Sequence, residues 1–281
     1  MSSLLRLKQV LVVAVAACFV ACAGTNRFPT ETYYEFTYGF HHSYQDNTIT
    51  FRLSNPLMCP LQVQLSGING RPDLEKKFGT IVLREKLDTT IRIYFRDLNT
   101  DRLRYVVRQG DPKKTVRKNR ISYPFPSGKT YTVIQGYNSM FSHNDASSRY
   151  AIDFNLQIGD TVTAADDGYV VGLIQNYKRH GTSKEWRDTD KGNYITLYHP
   201  HSGIFTQYGH IHHKGALVKM GAFVSKKQPI AISGMTGFTT TPHVHFNVKI
   251  PTERIGLVST DIEFDNAEGR LLKKNDIVKS Q

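Results

Sequence analysis

Two units built mainly of antiparallel β-strand are what this sequence predicts, on three observations. Apolar and polar residues alternate at period two through many short runs. Gly, Pro, Asn and Asp punctuate those runs, and no long stretch keeps the 3.6-residue period of an amphipathic helix. With 281 residues the chain can hold one or two domains whose cores need no disulfide framework.

In chain order the first segment reads as a processing signal. Arg6 and Lys8 precede an apolar run over 10–17. That run is short of the roughly 20 residues a bilayer-spanning helix needs, and small residues follow it. Val15-Ala16-Ala17-Cys18 and Phe19-Val20-Ala21-Cys22 stand at its end. Both resemble the bacterial lipobox, in which a small residue precedes a cysteine that is lipidated and becomes the mature N-terminus. Residues 1–22 are therefore expected to be a signal peptide with a lipobox, Cys18 or Cys22 carrying a lipid that holds the exported protein at a membrane. An ordinary cleaved signal peptide is the alternative. Neither cysteine is followed by Asp, which in a host with two membranes favours the periplasmic face of the outer one. Cys59 is left without an obvious partner, so no disulfide scaffold is expected.

After a short tether the runs at 49–53, 61–65, 80–83 and 90–95 alternate in polarity and are separated by turn residues. This spacing predicts a small β-sandwich over 31–108, an accessory domain without a catalytic cluster. His41 and His42 are adjacent, so on a strand they face opposite ways and make no shared site. Residues 109–122 read as a basic linker, with Gly110, Asp111 and Pro112 followed by Lys113, Lys114, Arg117, Lys118 and Arg120.

The second unit spans 123–281 and is again strand-like, with Gly159, Gly168, Gly192, Gly221, Gly234 and Gly237 between runs. Ile152, Phe154 and Leu156 alternate with Asp153, which places the carboxylate on the polar face of a core strand. By the same rule Tyr208 and His210 are expected to share a face. In Pro242-His243-Val244-His245-Phe246 the two histidines share one strand face and Val244 and Phe246 the other. Two imidazoles on an open face, joined by a carboxylate and one more nitrogen, would make an open zinc site.

The order of these motifs carries a resemblance. Gly136-Tyr137-Asn138, Ser142-His143, Tyr150-Ala151-Ile152-Asp153-Phe154, Gly159-Asp160-Thr161-Val162, Tyr208-Gly209-His210, Gly234-Met235-Thr236-Gly237 and Pro242-His243-Val244-His245-Phe246 resemble a lysostaphin-type zinc metallopeptidase. Such enzymes cut peptide bonds in peptidoglycan, and their fold is a mainly antiparallel β domain of the duplicated hybrid motif type. The resemblance covers roughly 123–264. It implies that Asp153 and His245 bind zinc and that His210 and His243 are catalytic histidines beside it. In the common pattern the first ligand histidine stands four residues before the aspartate, where this chain has Arg149. Arginine stays protonated and has no lone pair to give. His143 is the nearest substitute and matches a branch with a longer interval, with Asp145 in reserve.

The surroundings of these residues have expected places too. The 176–191 insertion, carrying Trp186 and Arg187, is expected to overhang the groove, Trp186 as either a substrate contact or a loop anchor. His199 is expected to be structural, with a place beside the site as the alternative, and Tyr208 is expected to pack more than to act.

A formal charge of +12 calls for an acidic partner. Peptidoglycan and a membrane surface fit; no nucleic-acid module is recognisable. A zinc endopeptidase acting on peptidoglycan stems or cross-links is the reading these residues favour. A non-catalytic relative that activates a cell-wall amidase, hence a wall-remodelling protein partner, is the alternative, with Arg149 as its motive.

Overall fold

The computed structural model describes residues 28–66, 72–101, 103–117, 119–189 and 191–281. The expected signal segment with Cys18 and Cys22 lies outside them. Strand dominates, the pairing is antiparallel apart from short exceptions, and two short α-helices occur among the described residues. None of these helices is long and apolar enough to cross a membrane.

The first unit comprises β1 (Gly39–Gln45), β2 (Thr48–Ser54), β3 (Leu61–Ser66), α1 (Pro72–Phe78), β4 (Ile81–Leu83), β5 (Asp88–Tyr94) and β6 (Arg104–Gln109). They form two three-stranded sheets, β1-β2-β5 and β4-β3-β6. The β1–β2 turn is tight because Asp46 and Asn47 both take positive φ, which these residue types tolerate best after glycine. Ile49, Phe51 and Leu53, at alternate positions of β2, meet Val63 and Leu65 of β3 in one buried core. The strand-only reading missed α1. Leu74 and Phe78, four residues apart, put one helical face into that core.

The second unit comprises β7 (Thr130–Gln135), β8 (Ile152–Phe154), β9 (Thr161–Thr163), β10 (Gly168–Ile174), β11 (His180–Gly181), α2 (Lys184–Thr189), β12 (Tyr194–Tyr198), β13 (Phe205–Gly209), β14 (Ile211–Ala216), β15 (Phe223–Val224), β16 (Pro229–Ser233), β17 (Gly237–Phe238), β18 (Val244–Thr252), β19 (Gly256–Ser259) and β20 (Ile277–Lys279). Its main sheet has the order β15-β10-β12-β13-β18-β8-β7-β20, with β19 beside β18. A smaller sheet, β14-β16-β9, covers one side. Ile152, Phe154, Tyr208, Val244 and Phe246 point between the sheets into the core, so their strand neighbours face outward over β8, β13 and β18. That outward face is the floor of the site.

The units are joined by a buried seam. Leu57, Cys59 and Leu61 pack against Val171, Tyr198 and Phe205. Gln109 Nε2 donates to Val171 O at 2.9 Å and Gln62 Nε2 to Thr252 O at 3.1 Å. Gly110 permits the approach, since a Cβ there would stand 2.5 Å from Pro251. Burying apolar side chains of this size stabilises by about 1.5–3 kcal/mol each. In the following stretch Lys113, Lys114, Arg117 and Arg120 are exposed, while Ile121 is buried and bridges to Phe264. Residues 28–38 form no strand and run along the second unit, with Tyr33 packed on Tyr177, ring centroids 4.9 Å apart.

Candidate metal centre

Asp153 on β8 and His245 on β18 are directly opposed across an antiparallel pair, so their side chains meet on the floor. His245 Nδ1 lies 2.9 Å from Asp153 Oδ1. The 136–149 segment arches over this pair, closed at its base by Asn138 N donating to Arg149 O. Inside the arch His143 is fully buried, and its Nδ1–H donates to Gly136 O at 3.0 Å. That bond leaves Nε2 with its lone pair toward the floor, 3.2 Å from His245 Nδ1 and 3.3 Å from Asp153 Oδ1. The ligand atoms of His143, Asp153 and His245 all lie within 4.8 Å of one another.

His210 and His243 stand beside this trio, ring centroids 4.4 Å apart, with His210 6.0 Å from His245. Each is oriented by a backbone carbonyl. His210 Nδ1–H donates to Thr236 O at 2.6 Å, and His243 Nδ1–H to Thr241 O at 2.9 Å. Both therefore present Nε2 to the site, and His243 Nε2 is 3.6 Å from Asp153 Oδ2.

Asp153 is buried and its ion-pair partners are imidazoles. Burial alone would raise its pKa; the His243 and His143 charges and the imidazole hydrogen bonds outweigh it and hold the carboxyl well below its usual range. Burial opposes a charge on His143 too, yet Asp153 raises its pKa. Burial lowers the pKa of His245, and pushes that of His243 down to about 4. Two imidazole nitrogens and a carboxylate oxygen thus converge on one point of the floor. A buried carboxylate needs a compensating cation, and this donor set suits zinc, with two imidazoles, one carboxylate and room for further ligands. His143, Asp153 and His245 are the residues that would hold it.

The remaining candidate residues lie outside this cluster. Tyr208 does not share the site with His210: it is buried in the core, its hydroxyl accepting from Ala165 N and Thr206 Oγ1. β13 ends at Gly209, and His210 takes φ of +60°, which turns its ring to the floor. His199 is also fully buried away from the groove, bonded to Asp167 O and Thr206 Oγ1. Arg149 is exposed at the foot of the arch. Asp145 is exposed, and its Oδ1 accepts from Ser147 N, Ser147 Oγ and Ser148 Oγ, which shapes the turn. Trp186 is a buried anchor, edge-on to Phe28 at 5.1 Å.

Supporting groups were not evident from the sequence. Asn247, on the same strand face as His245, donates Nδ2–H to Ser147 O at 2.7 Å and so holds the arch. Thr236 Oγ1 accepts from Asn193 N and donates to Ile211 O, which fixes the carbonyl that orients His210. The Gly234-Met235-Thr236-Gly237 run was the available signal for the second. Together these elements enclose a groove of about 780 Å³, its floor from β13 and β18 and its walls from the arch and from α2 with the 237–241 loop.

Residues 147–256 match the family described as Peptidase family M23. An uncharacterized metalloprotease of Buchnera aphidicola subsp. Baizongia pistaciae is 32% identical over 127 residues, covering 44% of this chain and 30% of that protein. The peptidoglycan DD-endopeptidase ShyB of Vibrio cholerae is 30% identical over 142 residues, 49% of this chain and 30% of that one. Lysostaphin of Staphylococcus simulans is 33% identical over 97 residues, 34% and 17% respectively. This chain thus spans about a third or less of the length of these relatives. Among solved structures, the solution structure of lysostaphin aligns at 27% identity and a TM-score of 0.34, over 46% of this chain and 47% of that one. Asp153, His210, His243 and His245 fall inside the stretch that matches the peptidase family M23, and His143 lies just before it.

Proposed function

We propose that the protein is a zinc-dependent endopeptidase that hydrolyses peptide bonds in peptidoglycan stems or cross-links. The observation that carries this reading is the convergence of His143, Asp153 and His245 beside two histidines that line the same groove. A decayed, non-catalytic relative would have no reason to keep all five in register, and exposed Arg149 does not intrude on them. When bound, zinc supplies Lewis acidity toward a peptide carbonyl and toward water. Asp153 and His245 are preorganised for it by strand pairing and His143 by its bond to Gly136 O. His210 and His243, each with Nδ1–H committed to a backbone carbonyl, accept a proton at Nε2 from the attacking water and return it to the leaving amine. The site is set in a floor whose back is packed core, which limits reorganisation during the reaction.

The proposal includes export and lipid anchoring through Cys18 or Cys22 at the periplasmic face of an outer membrane. The +12 charge supports an acidic wall partner. The test is release of new amino groups from purified peptidoglycan by the full chain, lost on chelation and restored by zinc. If the zinc-loaded protein releases none from any peptidoglycan chemotype yet stimulates an amidase, the activator reading replaces this one.

A further inference from the structure

We infer that Phe141, Phe238 and Arg187 form a clasp across the groove that governs entry of peptide strands tethered at both ends; this rests on the peptidase reading above. The two walls spring from opposite flanks of the floor, because the sheet order sets β12 on one side of β13 and β18 and β8 on the other. The arch is fastened on the β8 flank by Asn247 Nδ2–H to Ser147 O and Ser259 N–H to Ala146 O. α2 belongs to the loop that returns into β12 on the opposite flank. Between them the Phe141 ring lies on the Phe238 ring, centroids 5.1 Å apart and planes 16° from parallel. The Arg187 guanidinium carbon stands 5.1 Å from the centroid of Phe238. All three residues line the groove, so three separate segments join wall to wall.

The arms of the clasp are unequal. The α2 arm is held down by the segment that follows the N-terminal signal: Trp186 packs on Phe28, and Lys191 Nζ donates to Glu31 O at 2.7 Å and Thr32 Oγ1 at 2.8 Å. The same ammonium lies 5.9 Å from the Phe28 ring and 5.8 Å from that of Tyr177. Phe141 is 44% exposed and follows Met140, which is 83% exposed. Two residues on, His143 is buried and fixed by Gly136 O. Rotation of the Phe141 side chain therefore opens the clasp without disturbing the metal centre, a motion that exposed side chains make readily.

Topology gives this contact its consequence. A peptide with a free end can thread beneath a closed clasp. A cross-link whose two ends are fixed to glycan strands has no end to thread and must enter sideways, through an open one. A ring stack and a cation over its face are together of a size that shifts an equilibrium by roughly five- to thirtyfold.

The experiment compares hydrolysis by the full zinc-loaded chain of intact sacculi and of the same sacculi first digested with a muramidase, which leaves the peptide bonds unchanged but frees their ends. Phe141→Ala and Phe238→Ala should each raise the ratio of intact to digested rates by about fivefold or more at unchanged zinc content. Phe141→Tyr should keep the wild-type ratio. A ratio that stays fixed or falls in both alanine variants overturns the clasp, and loss of zinc in them would make the rings part of the metal support instead. If the wild type cleaves neither preparation the peptidase reading fails, and co-sedimentation with the two preparations, judged by the same ratio, still decides the clasp.

Discussion

β1 carries His41 and His42, and the run entering β18 carries His243 and His245, so both units place two histidines together on sheet. In β1 they are adjacent and diverge: His41 is exposed, while His42 turns inward beside Phe51 and its Nδ1 lies 3.0 Å from the Tyr105 hydroxyl. At the start of β18 they are two apart and share a face, and the strand opposite supplies a carboxylate in direct register with His245. The difference teaches that residue type is secondary to spacing and register. One residue of spacing separates a packing histidine from one that faces a carboxylate across the sheet.

The largest test of that contrast is Asp153→Ala. Removing the one carboxylate leaves the buried imidazoles without their counter-charge, so zinc affinity should fall by more than the roughly 10–100-fold that outer partners are worth, and hydrolysis should vanish with it. Zinc titration and amine release measure both. Retained stoichiometric zinc would break the assignment of β8 as the donor strand.

Next in size come His210→Ala and His243→Ala. Each should keep near-stoichiometric zinc while turnover falls by about 10²–10⁴-fold, the scale of lost acid–base help. Loss of metal in either would erase the division between holding and proton-handling histidines.

Leu61→Ala probes the seam instead of the site. It removes a fully buried side chain from the contact between the units, so stability to denaturant should drop by about 2–5 kcal/mol. Zinc per folded molecule should not change. The smallest effect belongs to His42→Ala: a loss of about 1 kcal/mol or less from one half-buried hydrogen bond, and unaltered zinc content.

Much of the site was legible because strands convert spacing into facing. Alternation at 151–156 and 242–248 was enough to set Asp153 and His245 on one polar face. The same rule failed at His210, where the strand stops at Gly209 and a non-glycine residue takes positive φ, a change of direction no period-two pattern contains. The role of Trp186 was illegible for another reason: its partner Phe28 is remote in sequence, and nothing local announces the contact. Cys59 read as an orphan thiol, whereas it is a buried apolar filler of a seam between units that sequence patterning treats separately. Among the described residues α1 was missed because a seven-residue helix shows only one apolar pair, too little to establish a period.

The most direct test of the metal-centre assignment is His143→Ala, measured as zinc bound per folded chain and, in the wild type, as the identity of the zinc ligands in a zinc-loaded crystal. The account predicts sub-stoichiometric zinc in the variant. In the wild type it predicts a metal about 2.0–2.2 Å from nitrogens of His143 and His245 and an oxygen of Asp153, with His210 and His243 outside that distance. Full zinc binding by His143→Ala, or a wild-type ion held by His210 or His243 in place of His143, would contradict it.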